Sequence, residues 1–411
     1  MDIRITPHTL SGAVTPPASK SMAHRLIIAA ALGGGICTIA NAASSQDIEA
    51  TLRCMAAMGT GIEHVGDRTL RIHGLGHSIP QAGIPDGLLH FDCGESGSTL
   101  RFLIPIALAV AGGGVFTGRG RLMERPQKPY FDIFEEKGIH YEQKDGILTV
   151  RGQLTPGIYR LPGNVSSQFV TGLLYALPLL DGDSEIVMTS PLESRGYVDM
   201  TLDTLKQFGI RVEHEEYARF RIGGNQVYQG TDVTVEADWS QAGFWYAAAF
   251  LDNPVTVQGM NPRSVQGDMV VSDLYWKLAR PGDIEVDISD CPDLLPPLSV
   301  MAAVRNGMTR FTGAARLRIK ESDRLATVSA MLTALGGFVE EFPDALTVHG
   351  GIPLTGGTVD GANDHRIVMA AAIAATACTA PVTVLGAEAV KKSYPTFWED
   401  YKKLGGVLHV L

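Results

Sequence analysis

The chain has 411 residues, enough for two or three domains of ordinary size. Its apolar content of 45% and its charged content of only 19% exclude intrinsic disorder, because this composition can bury a large core. The 34 lysines and arginines are outnumbered by 44 aspartates and glutamates, and the formal net charge of -10 excludes bulk attraction to nucleic acid or to an anionic membrane. Anions can therefore be bound only where the bases cluster locally.

A helix that ends in glycine and is followed by a short strand recurs along the chain. Each of these glycines suits the left-handed position that stops a helix and reverses the chain. A weaker copy ends near position 279 without a glycine. The six helix ends lie between 57 and 79 residues apart, which favours small α+β repeats grouped into larger domains over a solenoid. In chain order, the predicted stop residues are Gly59, Gly138, Gly209, Gly336 and Gly405.

The starts of a second, more apolar set of predicted helices carry the bases. Each start combines small hydroxyl, amide or acidic residues, typical of an N-cap, with a following apolar run. A helix N-terminus attracts anions and disfavours cations, yet four of the five starts contain Lys or Arg. This pattern predicts that an external polyanion lies against them. The five starts are residues 17–25, 94–101, 164–168, 320–324 and 363–366.

Two carboxylates near these bases are candidates for proton transfer. Asp293 precedes an apolar run, and Glu321 directly follows Lys320. Helix capping is the alternative role for both carboxylates, and the sequence leaves the choice open. Positive charge nearby keeps a carboxylate ionised and able to accept a proton. Arg121, next to a glycine in the loop at 117–126, suits bidentate recognition of a carboxylate or phosphate.

Metal, redox and nucleotide motifs are missing from the sequence. The five cysteines form no C-x-x-C pair, which argues against a disulfide framework and a structural zinc site. No P-loop, Rossmann glycine pattern, G-x-S-x-G or H-E-x-x-H motif is present, and His24, His90 and His365 are interpreted as structural. The longest apolar runs are too short to cross a bilayer, and the start of the chain lacks a signal-type segment. We therefore expect a cytoplasmic protein without a metal.

Six motifs, in one order, carry a resemblance to a known family. They are P-x-S-K-S-x-x-x-R at 17–25, G-x-S-G-S-T-x-R at 94–101, R-x-x-E-R-P at 121–126, S-S-Q-F at 166–169, R-I-K-E-S-D-R at 318–324 and N-D-H-R at 363–366. Over nearly its whole length, the chain resembles the 5-enolpyruvylshikimate-3-phosphate (EPSP) synthase family of enolpyruvyl transferases.

The resemblance implies an α/β fold built from α+β repeats. Two domains, each made of three β-α-β-α-β-β units, would place the active site in the interdomain cleft. One domain would span residues 19–236, and the other would join residues 1–18 to residues 237–411. Six such units agree with the six helix ends found above.

The implied reaction transfers the enolpyruvyl group of phosphoenolpyruvate to the 5-hydroxyl group of shikimate 3-phosphate, in the shikimate pathway to chorismate and the aromatic amino acids. This addition and elimination needs an acid, a base and charge stabilisation, but no cofactor, metal or nucleophilic side chain. Both substrates are polyanions, which explains the clustered cations. We expect these two small molecules as the partners, no nucleic acid or membrane, and a monomer.

The family's roles transfer to matching positions of this sequence. Asp293 resembles the residue that accepts the 5-hydroxyl proton, and Glu321, with Lys20, resembles the proton donor to the methylene carbon. The shikimate 3-phosphate site would comprise Lys20, Ser21, Arg25, Ser166, Ser167, Gln168, Ser194, Tyr197, Asp293 and Lys320. The phosphoenolpyruvate pocket would comprise Lys20, Gly97, Arg121, Gln168, Arg324, Arg366 and Lys392.

The sequence departs from the family pattern at three places. Glu95 stands where asparagine is expected, beside the predicted phosphoenolpyruvate loop. Arg316 stands at a position that often holds asparagine. The fourth repeat is short around residues 278–284, which predicts that a hairpin has been lost at a surface edge.

Three alternatives stay open. The sister transferase that acts on UDP-N-acetylglucosamine uses a reactive cysteine on a mobile loop, and the corresponding residues 112–125 contain no cysteine. The RNA 3′-phosphate cyclase branch needs a nucleophilic histidine that we cannot place. A non-catalytic polyanion-binding protein would not need the carboxylates Asp293 and Glu321.

Overall fold

The structure is a computed structural model of the chain that describes residues 1–76 and 87–411. Within these ranges, the strands are β1 (Ile3–Thr6), β2 (Gly12–Val14), β3 (Ile36–Ala40), β4 (Gly61–His64), β5 (Thr69–His73), β6 (Leu89–Asp92), β7 (Gly113–Thr117), β8 (His140–Lys144), β9 (Ile147–Arg151), β10 (Gly157–Leu161), β11 (Ser184–Met188), β12 (Val212–Glu215), β13 (Arg219–Ile222), β14 (Val233–Thr234), β15 (Val255–Val257), β16 (Ile284–Asp287), β17 (Met308–Thr312), β18 (Phe338–Glu341), β19 (Leu346–His349), β20 (Gly357–Asp360), β21 (Val382–Leu385) and β22 (Val407–Val410). The α-helices are α1 (Lys20–Leu32), α2 (Gln46–Ala57), α3 (Gly97–Val110), α4 (Lys128–Lys137), α5 (Ser167–Ala176), α6 (Arg195–Gln207), α7 (Trp239–Phe250), α8 (Val271–Leu278), α9 (Leu295–Val304), α10 (Arg324–Ala334), α11 (His365–Ala374) and α12 (Phe397–Lys403).

The described residues form two compact units, each with its own apolar core. The first unit consists of Met1–Pro17 and Ala237–Leu411, and the second consists of Ala18–Glu236. Ala18, which the sequence analysis assigned to the other domain, is buried in the core of the second unit.

In the part of the chain that the structure describes, five four-stranded sheets share one topology. In the sheet β6-β7-β9-β8, the edge strand β6 pairs in parallel with β7, and β9 and β8 follow in antiparallel order. Three of these sheets lie in the second unit and two in the first. The other four have the strand orders β14-β3-β5-β4, β10-β11-β13-β12, β16-β17-β19-β18 and β20-β21-β1-β22.

The remaining sheet of the described chain has only two parallel strands, β15 and β2. Helix α8 ends at Leu278 and β16 of the next sheet begins at Ile284, so the intervening residues 279–283 are too few for a hairpin. The hairpin loss predicted from the short spacing at 278–284 is therefore confirmed.

The predicted helix-ending glycines adopt the left-handed conformation. Their φ angles lie between +66° and +98°, where glycine carries no steric penalty because it has no Cβ. Each follows the last helical residue by one or two positions and precedes a strand. This confirms the stop signals at Gly59, Gly138, Gly209, Gly336 and Gly405.

Six helices are apolar on nearly all sides and are buried in the two cores. A helix without a polar face is stable only when other elements surround it, and every residue of α11 is buried. Helices α1, α3 and α5 belong to the second unit, where α3 packs along α5, and α7, α9 and α11 belong to the first.

One predicted helix start leads into a glycine-terminated helix and not, as predicted, into a buried apolar helix. Residues 320–324 lead into α10, which is the glycine-terminated helix that ends before Gly336 and not a second apolar helix. The apolar helix of this repeat is α9, and Asp293 lies in the 3-10 helix Pro292–Leu294 that directly precedes it. The error arose because α10 has both an apolar run and an aspartate N-cap, which are also the marks of the buried helices.

Among residues 1–76 and 87–411, no helix combines the length and the apolar character that crossing a membrane requires.

Candidate active site

Asp293 lies within ion-pair distance of three cations in the first unit. Its Oδ1 accepts a hydrogen bond from Arg324 Nη1 at 2.7 Å and lies 3.7 Å from Lys320 Nζ. Its Oδ2 accepts from Arg366 Nη2 at 2.8 Å. The N-cap residue of α9 is Leu294, so Asp293 does not cap this helix. The structure thus removes the capping alternative for Asp293 and leaves a carboxylate, 16% exposed, that is held by cations.

Arg324 is the centre of this cluster. Its side chain is 1% exposed, and it donates to Glu321 Oε2 at 2.8 Å and to Asp364 Oδ2 at 2.9 Å, in addition to Asp293. Burial alone would lower the pKa of Arg324, but the three carboxylates raise it well above its ordinary value. Glu321 does not cap α10 either, because the N-cap residue is Asp323. Arg324 therefore links both predicted proton-transfer carboxylates.

Asp364 is a functional candidate that the sequence analysis did not single out. It is fully buried, caps α11 by accepting from the Arg366 N–H at 3.0 Å, and accepts from Ser322 Oγ at 2.9 Å. Burial raises the pKa of Asp364, but the positive charges, Arg324 foremost, outweigh burial and hold it below its ordinary value. Its position in the N-D-H-R motif, as the acidic N-cap before Arg366, was the signal that could have identified it.

The other predicted cations of the first unit are also largely buried. Burial lowers the pKa of Lys320 to about 8, although the charge of Asp293 opposes this shift. Lys392, 3% exposed, donates from Nζ to the Asn363 carbonyl at 2.6 Å and so lies at the start of α11. Arg316, the departure from the family pattern, donates to the Ser289 carbonyl.

The low pKa of Lys320 predicts that its positive charge is lost as the pH rises through about 8. Above pH 8 the protein loses this cation, so kcat/KM for an anionic substrate bound by Lys320 should fall as the pH rises. Lys320→Arg, which stays charged, should retain its kcat/KM through this range. A pH profile of both proteins tests this, and a decline at the same pH in Lys320→Arg would assign the titration to another group.

The free energy of unfolding should rise with pH over the range in which Lys320 loses its charge. Because the folded pKa of Lys320 lies below the ordinary value of 10.5, the unfolded chain binds more protons between pH 8 and pH 10.5. The burial cost of the charged lysine is present in full below pH 8. It is released as the pH rises to 10.5, so Lys320 contributes increasing stability over this interval.

The start of α1 carries two of the predicted cations of the second unit, Lys20 and Arg25. Lys20 Nζ pairs with Asp47 Oδ2 at 2.7 Å, near the start of α2. Arg25 is buried and donates from Nε to Thr201 Oγ1 at 2.9 Å and from Nη2 to the Tyr197 carbonyl at 2.8 Å. Burial lowers the pKa of Arg25 to about 10. Asp47 was missed because no motif joins it to Lys20.

Gln168 links the starts of α3 and α5. Its Oε1 accepts from Arg101 Nη1 at 2.8 Å, and its Nε2 donates to Ser98 Oγ at 3.0 Å. Ser166 caps α5 by accepting from the Gln168 N–H at 3.3 Å, and Ser167 is the first helical residue. Arg101, absent from the predicted binding residues, orients the side-chain amide of Gln168.

The remaining predicted residues of the second unit lie at turns and helix starts. Arg121 is half exposed, with Nε 3.7 Å from Glu124 Oε2. Gly97 is the first residue of α3. Ser194 precedes α6 in the left-handed conformation, with φ of +57°, and Ser21 offers its carbonyl to Arg25 Nη1 at 2.7 Å.

The structure therefore groups the predicted residues by unit. Within the described residues, no group of three or more His, Cys, Asp or Glu side chains could hold a metal ion. The first unit holds Asp293, Lys320, Glu321, Arg324, Arg366 and Lys392, and the second holds Lys20, Ser21, Arg25, Gly97, Arg121, Ser166, Ser167, Gln168, Ser194 and Tyr197.

The two units consist of repeated helices and strands, and cations lie at several helix starts. Two carboxylates, Asp293 and Glu321, pair with the buried Arg324. These features define an enzyme of the enolpyruvyl transferase class. The family model of EPSP synthase (3-phosphoshikimate 1-carboxyvinyltransferase) matches residues 5–401. The chain belongs to the EPSP synthase family.

Relatives and solved structures agree with this assignment. The chain is 46% identical to the 3-phosphoshikimate 1-carboxyvinyltransferase of Clostridium acetobutylicum and 43% identical to that of Clostridium novyi, in each case covering 99% of this chain and 98% of the relative. The solved structure of EPSP synthase from Acinetobacter baumannii matches with a TM-score of 0.82 and 25% identity over the whole of both chains. The predicted family, fold class and enzyme class, a 3-phosphoshikimate 1-carboxyvinyltransferase, are confirmed.

Proposed function

We propose that the residues of this site transfer the enolpyruvyl group of phosphoenolpyruvate to the 5-hydroxyl group of shikimate 3-phosphate, with release of phosphate. The observation that carries the proposal is the position of Asp293, whose two carboxylate oxygens accept from Arg324 and Arg366 at 2.7 and 2.8 Å. A carboxylate held by two arginines stays ionised at neutral pH, so it can serve as a base among bound anions.

In the addition step, Asp293 accepts the 5-hydroxyl proton while the hydroxyl oxygen bonds to carbon 2 of phosphoenolpyruvate. Glu321 has to take up a proton before this step, because its pair with Arg324 favours the ionised form. It then donates that proton to carbon 3, and the double bond becomes the single bond of a tetrahedral intermediate. In the elimination step, carbon 3 returns a proton to the Glu321 carboxylate, the double bond reforms, and the bond from carbon 2 to the phosphate oxygen breaks. Phosphate leaves with the electron pair of that bond and takes up the proton held by Asp293.

The cations bind the substrates and stabilise the charge that moves during these steps. We assign Lys20, Arg121, Arg324, Arg366 and Lys392 to phosphoenolpyruvate. Each charge-assisted hydrogen bond contributes about 1.5–3 kcal/mol, which offsets the repulsion between two bound polyanions. The residues assigned to shikimate 3-phosphate are Lys20, Ser21, Arg25, Ser166, Ser167, Gln168, Ser194, Tyr197, Asp293 and Lys320.

Phosphate release from phosphoenolpyruvate should require shikimate 3-phosphate. The purified protein is mixed with phosphoenolpyruvate and either shikimate 3-phosphate or UDP-N-acetylglucosamine, and inorganic phosphate is measured over time. We expect release only with shikimate 3-phosphate. Release driven by UDP-N-acetylglucosamine would assign the chain to the sister activity, and binding of both substrates without release would favour a polyanion-binding protein.

We further propose that the protein acts as a monomer in the cytoplasm, with its two substrates as partners and without a cofactor. The acidic net charge of -10 supports the absence of a nucleic-acid partner. Sedimentation of the purified protein at its chain mass of 44.0 kDa would support the monomer.

A further inference from the structure

His24 is a buried histidine of the second unit that lies four residues after Lys20 on α1. Its Nδ1 lies 2.7 Å from Thr51 Oγ1 of α2, and its ring packs edge-on against Phe102 of α3. Burial, followed by the charges of Lys20 and Arg25, lowers the pKa of His24 well below its ordinary value. The ring is therefore neutral at neutral pH, with one nitrogen that donates and one that accepts.

A chain of buried hydroxyl groups leads from His24 to the start of α3. Thr51 Oγ1 lies 2.7 Å from Thr99 Oγ1, and Thr99 Oγ1 donates to Ser96 Oγ at 2.7 Å. All three hydroxyl residues are buried, so water does not compete for these hydrogen bonds. Ser96 also caps α3 by accepting from the Thr99 N–H at 3.2 Å. The chain thus joins α1, α2 and α3 near their starts.

The donors and acceptors of this chain can be ordered in only one way. A threonine hydroxyl group has one proton, and Thr99 uses it toward Ser96. Thr51 must therefore donate to Thr99, which leaves the Nδ1–H of His24 as the donor to Thr51. In the part of the chain that the structure describes, the buried Nε2 of His24 has no hydrogen-bond partner. Nδ1 is therefore the ring nitrogen through which His24 acts.

The contact between His24 and Thr51 lies one helical turn from the ion pair of Lys20. Lys20 Nζ is 2.7 Å from Asp47 Oδ2, and the two side chains are 15% and 11% exposed. On each helix, four positions separate the residue of the ion pair from the residue of the hydrogen bond, and residues four apart lie above one another. Two adjacent contacts thus fix the rotation of α1 against α2, and with it the position of the Lys20 amine.

We propose that His24 is a positioning residue for Lys20. Its Nδ1–H sets the direction of the Thr51–Thr99–Ser96 chain and so holds the start of α1 against α2 and α3. This role rests on the function proposed above, in which Lys20 binds both substrates. Without the Nδ1–H the hydroxyl protons lose their fixed direction, and the first turn of α1 gains freedom. A misplacement of a substrate-binding group by about 1 Å can lower turnover about 100-fold.

Two amide variants of His24 separate positioning from packing. The amide nitrogen of His24→Asn lies as far along the side chain as Nδ1, so this variant keeps the donor to Thr51 although it leaves a cavity. His24→Gln fills the space better, but its amide nitrogen lies at the position of Nε2. We expect kcat to stay within about threefold of the wild type in His24→Asn and to fall about 10- to 100-fold in His24→Gln. Equal values, or the opposite order that a space-filling role requires, would overturn the proposal.

A second residue of the chain provides an independent variant. Thr51→Val removes the hydroxyl group and should lower kcat as much as His24→Gln does. The double variant should be no slower than either single variant, because both changes interrupt one chain. KM should rise for phosphoenolpyruvate and for shikimate 3-phosphate together, since Lys20 is assigned to both. Additive losses in the double variant, or an increase in KM for one substrate alone, would overturn the proposal.

Thr60→Val is the matched control for Thr51→Val. Thr60 is a buried threonine of the same unit, and its Oγ1 has no hydrogen-bond partner among the residues that the structure describes. The control removes a buried hydroxyl group outside the chain, so its kcat should equal that of the wild type. A loss as large as that of Thr51→Val would attribute the effect to packing and overturn the proposal.

The link between His24 and Lys20 can also be measured without substrates. In two-bond proton–nitrogen correlation spectra, the signals of His24 are those that disappear in His24→Asn, and we expect its proton on Nδ1. A proton on Nε2 would reverse the chain and overturn the proposal. Lys20→Met should shift the urea midpoint less in His24→Gln than in the wild type, and equal shifts would show that the two residues are not linked. If the wild type releases no phosphate, the proposed function fails, while these two measurements still test the positioning of Lys20.

Discussion

Replacement of Asp293 by asparagine is expected to lower kcat about 10²- to 10⁴-fold, the range for loss of a general base. Asparagine has the same shape and can still accept a hydrogen bond through Oδ1, but its amide nitrogen cannot accept a proton. Since Oδ1 of Asp293 accepts from Arg324 and Oδ2 from Arg366, the amide also places an N–H against one of these arginines. We therefore expect a smaller, secondary increase in KM for phosphoenolpyruvate.

The measurement is phosphate release at saturating concentrations of both substrates, followed by single-turnover kinetics to isolate the chemical step. Asp287→Asn is a suitable control. Among residues 1–76 and 87–411, this exposed carboxylate of β16 accepts only from the Ser289 N–H, and an amide oxygen can accept the same hydrogen bond. Its kcat should equal that of the wild type. A kcat of Asp293→Asn within about threefold of the wild type would remove Asp293 from proton transfer.

Replacement of Arg324 by methionine should have the largest effect on stability, a loss of about 3–5 kcal/mol in the free energy of unfolding. Arg324 is 1% exposed and Asp364 is 0% exposed, so the variant leaves a buried carboxylate without its guanidinium. Asp364 also caps α11 and accepts from Ser322, and its disturbance should weaken the starts of α10 and α11 together.

Urea unfolding followed by circular dichroism measures this loss. The double variant Arg324→Met with Asp364→Asn should recover part of it, because it removes the stranded charge as well as its partner. Lys403→Met, which breaks the pair between the exposed Lys403 and the partly buried Asp400, should cost about 0–1 kcal/mol. If Arg324→Met loses less than about 1 kcal/mol in the free energy of unfolding, the ion pairs of Arg324 do not stabilise the starts of α10 and α11.

Features that depend on near neighbours in the chain could be predicted from the sequence. Gly138 stops α4 because a left-handed residue is needed directly after the last turn. Ser96 caps α3 through an N–H only three residues away. The missing hairpin also follows from chain length, since residues 279–283 cannot form two strands.

Near-neighbour patterns become ambiguous where two kinds of helix share the same N-cap residue type and the same apolar run. The pattern at residues 320–324 predicts the start of a buried apolar helix, whereas α10 is the glycine-terminated helix of its repeat. The aspartate cap and the apolar run are local, but the packing partners that distinguish a core helix from a peripheral one are distant in sequence. For the same reason, the choice between capping and ion pairing at Asp293 could not be made before its partners were known.

The sequence by itself determined the repeats, the helix ends, the polarity of the helix starts and the family, because each depends on residue types at short, fixed spacings. Only the tertiary structure decided which charges meet. Asp293 reaches Arg324 across 31 positions and Arg366 across 73, and Arg101 reaches Gln168 across 67. Such pairings follow from how the buried helices pack, and packing is a property of the whole core.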